Sequence, residues 1–550
     1  MNAPFDPVAP VASRAPQLAG APAVAAGTPG DAARPVKWGK VIDQDKCIGC
    51  HACSTACKSE NEVPLSVNRT YVKAADVGTW PQARRAFQVT RCNQCENPPC
   101  VTACPTTAMH QRPDGIVDFN KNICIGCKAC IAACPYDAIF INPADHCAEK
   151  CNFCAHRLEV GLEPACVVVC PTQAILVGDL NDPASKVAQV VARNPVQVRR
   201  PEKDTKPKLF YKGAHQATLD PLGATRPDGG LFMWSEQPGG AHIVPGGAEP
   251  GASGNSSSSA AAILAYDVAH RAPWDWRVSL YTWTKGVAAG AYLLPASLVV
   301  GGIIEPTSAL FVWVAPLLAL TMLAATGALL LWDLEHPERF WMIFAKFQWR
   351  SWLVKGAVII TLYGGLLAAH LGASLLGLQW VHAAAAIPGI ILAALTATYT
   401  AWLFAQAKAR DLWQSPLLPP HMLVQAALAG AGGLLLLAPA LGGLVLEPAA
   451  RAVLQMVLAA SAFAHLLFVA GDVTLPHVTA HARAAMHTMT RGRYASWFWS
   501  GVVLSLPAVI APLVLPANAG VAWLSALAAL VGLFLHEHAF VQSGQSVPLA

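Results

Sequence analysis

All 17 cysteines of the chain lie between Cys47 and Cys170, and sixteen of them fall into four groups of four. The first and third groups share the spacing C-x2-C-x2-C-x3-C, whereas the second and fourth widen its middle gap. Only Cys147 is left over. The groups are Cys47, Cys50, Cys53 and Cys57; Cys92, Cys95, Cys100 and Cys104; Cys124, Cys127, Cys130 and Cys134; and Cys151, Cys154, Cys166 and Cys170.

This spacing is typical of iron-sulfur chemistry. Three thiolates on one tight loop can ligate three irons of a [4Fe-4S] cubane, and the fourth, on the following helix, ligates the other cluster of a pair. Sixteen ligands therefore predict four [4Fe-4S] clusters. Zinc ribbons, which also use paired C-x2-C knuckles, are the alternative, but zinc sites rarely take three closely spaced cysteines followed by C-P. Cys147 is interpreted as a spare buried thiol.

Short apolar runs between the cysteines predict the elements that hold them. Residues 115–118 (GIVD) and 138–141 (AIFI) have the composition of small strands, and proline follows Cys104, Cys134 and Cys170, where it turns the chain away from the cluster. The repeated quartets predict two dicluster ferredoxin units in an α+β domain over residues 37–214, with metal in place of much of the hydrophobic core.

The block from Lys150 to Ile175, with GDLNDPASKV at 178–187 and TKPKLFY at 205–211, resembles the four-cluster iron-sulfur subunit of the DMSO reductase family of molybdenum enzymes. The resemblance covers roughly residues 37–214. In that family each quartet gives its fourth cysteine to the cluster of a partner quartet. Carried over, this implies the ligand sets Cys47, Cys50, Cys53 with Cys170; Cys151, Cys154, Cys166 with Cys57; Cys92, Cys95, Cys100 with Cys134; and Cys124, Cys127, Cys130 with Cys104.

The remainder of the chain has the composition of a membrane protein. Apolar residues make up 54% and charged residues 13%, which is too apolar for a soluble protein of 550 residues. Eight segments are long enough to span a bilayer, which takes about 20 residues. They predict an all-α bundle within residues 263–550, near 282–304, 308–332, 351–377, 380–406, 421–446, 450–470, 495–515 and 519–540.

Two segments of biased composition flank the cysteine domain. Residues 1–36 are rich in Ala, Pro and Gly and are predicted to be disordered, with no export signal, and residues 215–262 form a Gly/Ser-rich linker.

The net charge of +5 is modest and gives no reason to expect nucleic acid. Cationic residues instead crowd the loops on one side of the predicted bundle, which places the cysteine domain and the C-terminus in the cytoplasm of a bacterium, at its inner membrane. They are Arg271, Arg277, Arg339, Lys346, Arg350, Lys408, Arg410, Arg483, Arg491 and Arg493, against Arg451 alone on the other side.

The membrane half resembles the anchor subunits of polysulfide reductase and DMSO reductase in residues 333–356, 409–421 and 540–549. The resemblance implies quinone binding and usually no haem. No haem is expected from the residues either, because a dihaem anchor needs histidines paired across helices, and His370, His382 and His465 are interpreted as scattered singly. Donors near the cysteine side are the candidate quinone ligands: His336, Arg339, Arg350 and Lys355.

Together these features predict an electron-transfer and membrane-anchor subunit that connects a cytoplasmic catalytic partner to membrane quinone. The resemblance implies that the partner contains molybdopterin and carries the substrate chemistry. Cytoplasmic placement argues against periplasmic respiration of the usual exported type, so sulfite oxidation with quinone reduction is the favoured reaction. The alternatives are DMSO, polysulfide, thiosulfate or formate chemistry, a module of a quinol-oxidising alternative complex III, and a zinc-binding membrane scaffold.

Overall fold

The computed structural model describes residues 36–225, 262–438, 447–514 and 519–550. Almost all of the segment predicted to be disordered, and most of the predicted linker, therefore lie outside the described residues. Within the described ranges the chain forms an α+β domain followed by a bundle of long helices, which confirms the predicted fold class.

Apart from two strands of eight residues each, the strands of the first domain are short. They are β1 Trp38–Asp43, β2 Thr70–Val77, β3 Arg84–Arg91, β4 Met109–Gln111, β5 Val117–Phe119, β6 Ile139–Ile141, β7 Ala148–Lys150, β8 Ile175–Asp179, β9 Val196–Gln197, β10 Leu209–Lys212 and β11 Ala262–Tyr266. Strands β5 and β6 overlap the two runs predicted from composition.

The strands assemble into four separate small sheets. One has the order β8-β1-β10-β9, in which β1 and β10 are parallel, and the second has the antiparallel order β11-β2-β3. The hairpins β4-β5 and β6-β7 form the other two. Strand β11 comes from the chain that leads into the membrane bundle, so that chain adds an edge strand to the cysteine domain.

The helices change from short to long at the start of the bundle. Those of the first domain are α1 Ala52–Glu60, α2 Pro99–Ala103, α3 Ala129–Ala133, α4 Ala155–Leu158, α5 Ala165–Val168, α6 Lys186–Arg193 and α7 Gln216–Leu219. Those of the second are α8 Trp276–Val300, α9 Ala315–Trp332, α10 Met342–Ala345, α11 Trp352–Leu375, α12 Gln379–Gln406, α13 Leu418–Leu437, α14 Pro448–Thr474, α15 Ala480–Thr490, α16 Ala495–Val514 and α17 Ala519–Ser546.

Eight helices of the bundle are long, and in the described part of the chain seven of them are long and apolar enough to cross a membrane. The remaining one, α8, is more polar and packs against α9, α12, α13 and α17 in the middle of the bundle. At the crossing of α8 and α13, a Cβ on Gly290 would lie 1.8 Å from the carbonyl oxygen of Ala426, so only glycine permits this approach. The prediction of about eight spans is confirmed.

The tight cysteine loops depend on left-handed backbone conformations. Gly49 and Gly126 occupy equivalent positions in the two CIGC loops, with φ of 68° and 67°. Successive backbone N–H groups in such turns form concavities that bind anions, including iron-sulfur clusters. A Cβ on Gly126 would also lie 2.4 Å from Cβ of Glu335, so this glycine lets a bundle loop approach the third quartet.

Several buried contacts join the two domains. Lys128, beside Cys127, donates to the carbonyl oxygen of Asp333 at 2.9 Å and lies 3.1 Å from a carboxylate oxygen of Glu335. Ser351 donates to the Ala103 carbonyl at 2.8 Å. At the C-terminus, Arg199 of the cysteine domain donates to the Leu549 carbonyl at 2.8 Å. The second and third quartets therefore face the bundle directly.

Candidate functional site

The four sequence quartets exchange their last members in space. The thiol of Cys57 neighbours Cys151, Cys154 and Cys166, and burial together with these neighbours raises its pKa to about 12. The thiol of Cys47 neighbours Cys50, Cys53 and Cys170. A sulfur atom that ligates metal must be deprotonated, so four neighbouring thiolates repel one another. A bound metal would offset this repulsion.

The two middle quartets exchange in the same way. Cys100 neighbours Cys92, Cys95 and Cys134, while Cys130 neighbours Cys124, Cys127 and Cys104. A cavity lies inside the latter group and is lined by all four of its cysteines. The described residues therefore place sixteen thiols in the four sets that the family resemblance implies, and each set has the donor chemistry of a [4Fe-4S] site.

A buried cation lies between two of these sets. Arg91 is 2% exposed, and its Nη1 donates to Sγ of Cys166 at 3.0 Å. Burial alone would raise the pKa of Cys166, but Arg91 and Lys40 outweigh that effect and lower the pKa to about 7. Positive charge and hydrogen bonds at ligand sulfurs are means by which proteins set cluster potentials.

Cys147, interpreted from the sequence as a spare buried thiol, contacts both a cysteine of the third quartet and a loop of the bundle. A hydrogen bond from Cys147 is the main reason that the pKa of Cys124 lies below its usual value. The sulfur of Cys147 lies 3.3 Å from Nε2 of His336. Cys147 therefore connects a ligand of the third quartet to the loop between α9 and α11.

The four candidate quinone ligands occupy different environments. His336 uses Nδ1 toward Glu338 at 2.9 Å and Nε2 toward the Asp145 carbonyl, also at 2.9 Å. Arg339 donates to the carbonyl oxygens of Lys121 and Cys124. Lys355 lies over the ring of Trp352, and Arg350 is exposed. The structure thus turns His336 and Arg339 toward the cysteine domain and does not bring the four together around one space.

A second, small cavity lies inside the bundle near its cysteine-domain end. Its wall includes Thr282, His421, Gln425, His536 and Glu537. The Thr282 hydroxyl lies 2.8 Å from Oε2 of Glu537. Buried hydrogen-bonding groups that converge on one apolar cavity are the usual composition of a small-molecule site.

An aromatic stack leads from this cavity to the third quartet. Phe404 lines the cavity and stacks on Trp413 at a centroid distance of 4.7 Å. Trp413 stacks on Trp274 at 5.7 Å, and Nε1 of Trp274 donates to the Cys127 carbonyl at 3.3 Å. Three rings thus connect the cavity wall to a cysteine loop.

Sequence reasoning missed most of this cavity. Beyond the cavity wall, Lys285 on α8 is also buried and donates to Thr400 Oγ1 at 2.6 Å and to the Ala397 carbonyl at 2.9 Å. Ionisable residues inside spans were the available signal, since such groups are costly in a membrane and usually face a cavity. Glu537, within the sequence HEH of the last span, carries that signal most clearly.

The interpretation of the histidines as scattered singly is wrong. His370 and His382 stack with their ring centroids 4.8 Å apart, and Nε2 of His421 lies 2.9 Å from Nδ1 of His465. Helix packing brings together residues that the sequence spacing separates. The expectation that the chain carries no haem stays a prediction.

Comparison with known families identifies both halves. A model of the 4Fe-4S binding domain matches residues 38–59, and one of the 4Fe-4S dicluster domain matches residues 84–180. A model described as polysulphide reductase, NrfD, matches residues 266–549, more than half of the chain. The chain thus belongs to the NrfD polysulphide reductase family. The predicted fusion of an iron-sulfur subunit with a membrane anchor is thereby confirmed.

Curated relatives of this NrfD-family protein match its iron-sulfur half. A polysulfide reductase chain of Wolinella succinogenes is 48% identical over 177 residues, which cover 32% of this chain and 93% of the relative. A tetrathionate reductase subunit of Salmonella typhimurium is 42% identical, covering 36% of this chain and 80% of the relative. The arsenate respiratory reductase iron-sulfur subunit of a Shewanella species is 35% identical, covering 32% and 96%. The iron-sulfur half is therefore an electron-transfer subunit of this oxidoreductase group, whose members work with other subunits.

Proposed function

We propose that this chain conducts electrons through four [4Fe-4S] clusters between a molybdopterin-containing catalytic partner and quinone in the membrane. The sixteen grouped thiols would hold the clusters, and the left-handed loops would direct backbone N–H groups at them. When bound, the clusters supply one-electron transfer, whereas the chain's own residues position the sulfurs, exclude water and set the local charge.

The bundle cavity is the proposed site of quinone reaction, and the aromatic stack from Phe404 to the Cys127 loop is the observation that carries this proposal. A quinone ring needs a hydrogen-bond donor for its carbonyl oxygens, which Gln425 offers, and a proton carrier, which Glu537 offers. The alternative location is the loop set His336, Arg339, Arg350 and Lys355. The cavity is favoured because both ring nitrogens of His336 already have protein partners.

Loop charge supports a cytoplasmic position of the cluster domain at a bacterial inner membrane. Among the cationic residues of these loops, Arg339 donates to the Cys124 carbonyl and so lies on the side of the bundle that contacts the cysteines. The proposed substrate of the partner is a small sulfur compound or oxyanion. Sulfite oxidation is the specific candidate, and polysulfide, tetrathionate and arsenate, which name the relatives, are the alternatives.

The test compares matched variants of the cavity and the loop. Clusters reduced by dithionite are mixed with a soluble quinone analogue, and their reoxidation is followed by visible absorbance in a stopped-flow instrument. Gln425→Leu removes the proposed donor, and Thr282→Val removes the hydroxyl that bonds to the proposed proton carrier Glu537. Because a hydrogen bond to a charged oxygen contributes about 1.5–3 kcal/mol, reoxidation should slow about ten- to a hundredfold.

Thr284→Val is the matched control. Thr284 lies on the same helix and is equally buried, but it pairs with Thr326 at 2.8 Å and is not part of the cavity wall. Slow reoxidation in His336→Ala with normal rates in both cavity variants would move the site to the loop. Normal rates in all of these variants would refute a quinone site at this end of the bundle.

A further inference from the structure

Three histidines from three helices meet next to the bundle cavity. His421 on α13, His465 on α14 and His536 on α17 are all buried, with relative exposures of 4%, 1% and 3%. One ring nitrogen from each can be chosen so that all three lie within 4.8 Å of one another. Within the described residues, no other three histidine or acidic side chains bring their possible ligand atoms this close together.

The internal hydrogen bond does not satisfy this group. Nε2 of His421 pairs with Nδ1 of His465, but Nε2 of His465 and Nδ1 of His536 are buried and have no hydrogen-bond partner in the structure. A buried polar atom without a partner costs about 1–3 kcal/mol, and native proteins rarely leave two such atoms in one cluster. Together with the convergence of ring nitrogens from three histidines, the two unpaired nitrogens indicate that the group is completed by a ligand.

The chemistry of the donors identifies the class of ligand. Neutral imidazole nitrogens suit first-row transition metals such as zinc and copper. With zinc–nitrogen bonds of about 2.0–2.1 Å, three ligands of a tetrahedral site lie about 3.4 Å apart, so side-chain shifts of about 1 Å would close the present arrangement. His421 and His536 also line the cavity, which leaves a fourth position open toward it.

We propose that His421, His465 and His536 bind one transition-metal ion of the zinc or copper class inside the membrane bundle. The ion joins α13, α14 and α17 and presents its open position to the cavity. The carboxylate of Glu537, adjacent to His536 and in the same cavity wall, is the nearby group that offsets the positive charge. The proposal depends on the histidine geometry and stands whether or not quinone reacts in this cavity.

The bundle contains its own control for buried histidines. His370 and His382 are 0% and 2% exposed and each has one nitrogen without a partner. Each of them, however, also pairs with a hydroxyl group, His370 with Tyr292 at 2.9 Å and His382 with Ser374 at 3.1 Å. With two histidines and no third ligand, this pair should not retain a metal ion.

The experiment measures metal on the intact, detergent-solubilised protein purified anaerobically. Samples are incubated with one equivalent of zinc sulfate and desalted, and iron, zinc and copper are counted by mass spectrometry. Wild type should retain about one zinc or copper ion per polypeptide in addition to its iron. His465→Gln and His421→Gln should each reduce that amount at least tenfold, and His370→Gln should leave it unchanged.

X-ray absorption at the zinc edge separates this site from zinc in the cysteine domain. The proposed site should show nitrogen neighbours at about 2.0 Å and no sulfur, whereas misloaded cysteine sites show sulfur at about 2.3 Å. Unchanged iron content together with an unchanged far-ultraviolet helix signal verifies that the variants fold. If His465→Gln does not fold, the coordination spectrum of the wild type decides alone. Zinc with sulfur ligands only, haem in this region, or no retained metal would overturn the proposal, and the quinone reoxidation assay would still report independently on the proposed function.

Discussion

Removing the charge of Arg91 should lower the reduction potential of one or two clusters and leave the others unchanged. The guanidinium is 2% exposed, donates to Sγ of Cys166 at 3.0 Å, and interacts electrostatically with the thiols of Cys53 and Cys151. A buried cation stabilises the more negative, reduced state of a neighbouring cluster. Its loss should therefore make that cluster harder to reduce.

The magnitude follows from the contact. A hydrogen bond to a charged group contributes about 1.5–3 kcal/mol. Since about 1.4 kcal/mol is a tenfold change in an equilibrium constant, and a tenfold change is 59 mV for one electron, Arg91→Met should lower the midpoint potential by about 60–130 mV. The clusters expected to respond are those assigned to Cys47, Cys50, Cys53 with Cys170 and to Cys151, Cys154, Cys166 with Cys57.

The assay is a redox titration followed by electron paramagnetic resonance, which resolves clusters by their midpoint potentials. Arg85→Met is the matched control, because Arg85 lies on the same strand β3 but is exposed and pairs with Asp76. Arg91→Lys should recover part of the shift by restoring the charge. Equal shifts of all four clusters, or no shift in a variant that retains its iron, would refute the assignment of Arg91 to these two sites.

Three further predictions follow from the same structure. Anaerobically purified protein should contain about sixteen irons per chain, four for each cubane, and stoichiometric zinc in the cysteine groups would contradict this. A reporter enzyme that is active only in the cytoplasm should be active when fused after Ala550, and activity of a periplasmic reporter at that position would reverse the proposed orientation. His270 precedes the bundle and pairs with Asp137, which is close to Cys134 in the chain. Burial lowers the pKa of His270, but the carboxylates of Asp267 and Asp137 outweigh burial and raise that pKa to about 10. The pair should therefore stabilise the protein fully below about pH 6.5 and lose this contribution as the pH rises through about 10, so the difference in apparent Tm between wild type and His270→Asn should shrink between pH 7 and pH 10.

Local patterns in the chain were sufficient for the fold class and for the presence of 4Fe-4S binding domains. The C-x2-C spacing places thiols on one loop whatever surrounds them, and long apolar segments predict spans because the bilayer thickness sets their length. Family models and curated relatives agree with both inferences. The exchange of Cys57 and Cys170 between quartets came from the resemblance, because spacing alone leaves the choice of partner open.

Contacts between distant segments were decided by tertiary packing alone. His336 looked like a free donor in a loop, yet the docking of that loop on the cysteine domain occupies both of its nitrogens. His421 and His465 are 44 residues apart and His536 lies in the last span, so no periodicity in the chain indicates that they meet. A spacing pattern determines which side chains share a loop or a helix face, whereas the side chains that share a cavity depend on how whole helices cross, and the glycine contact of α8 with α13 is one such crossing.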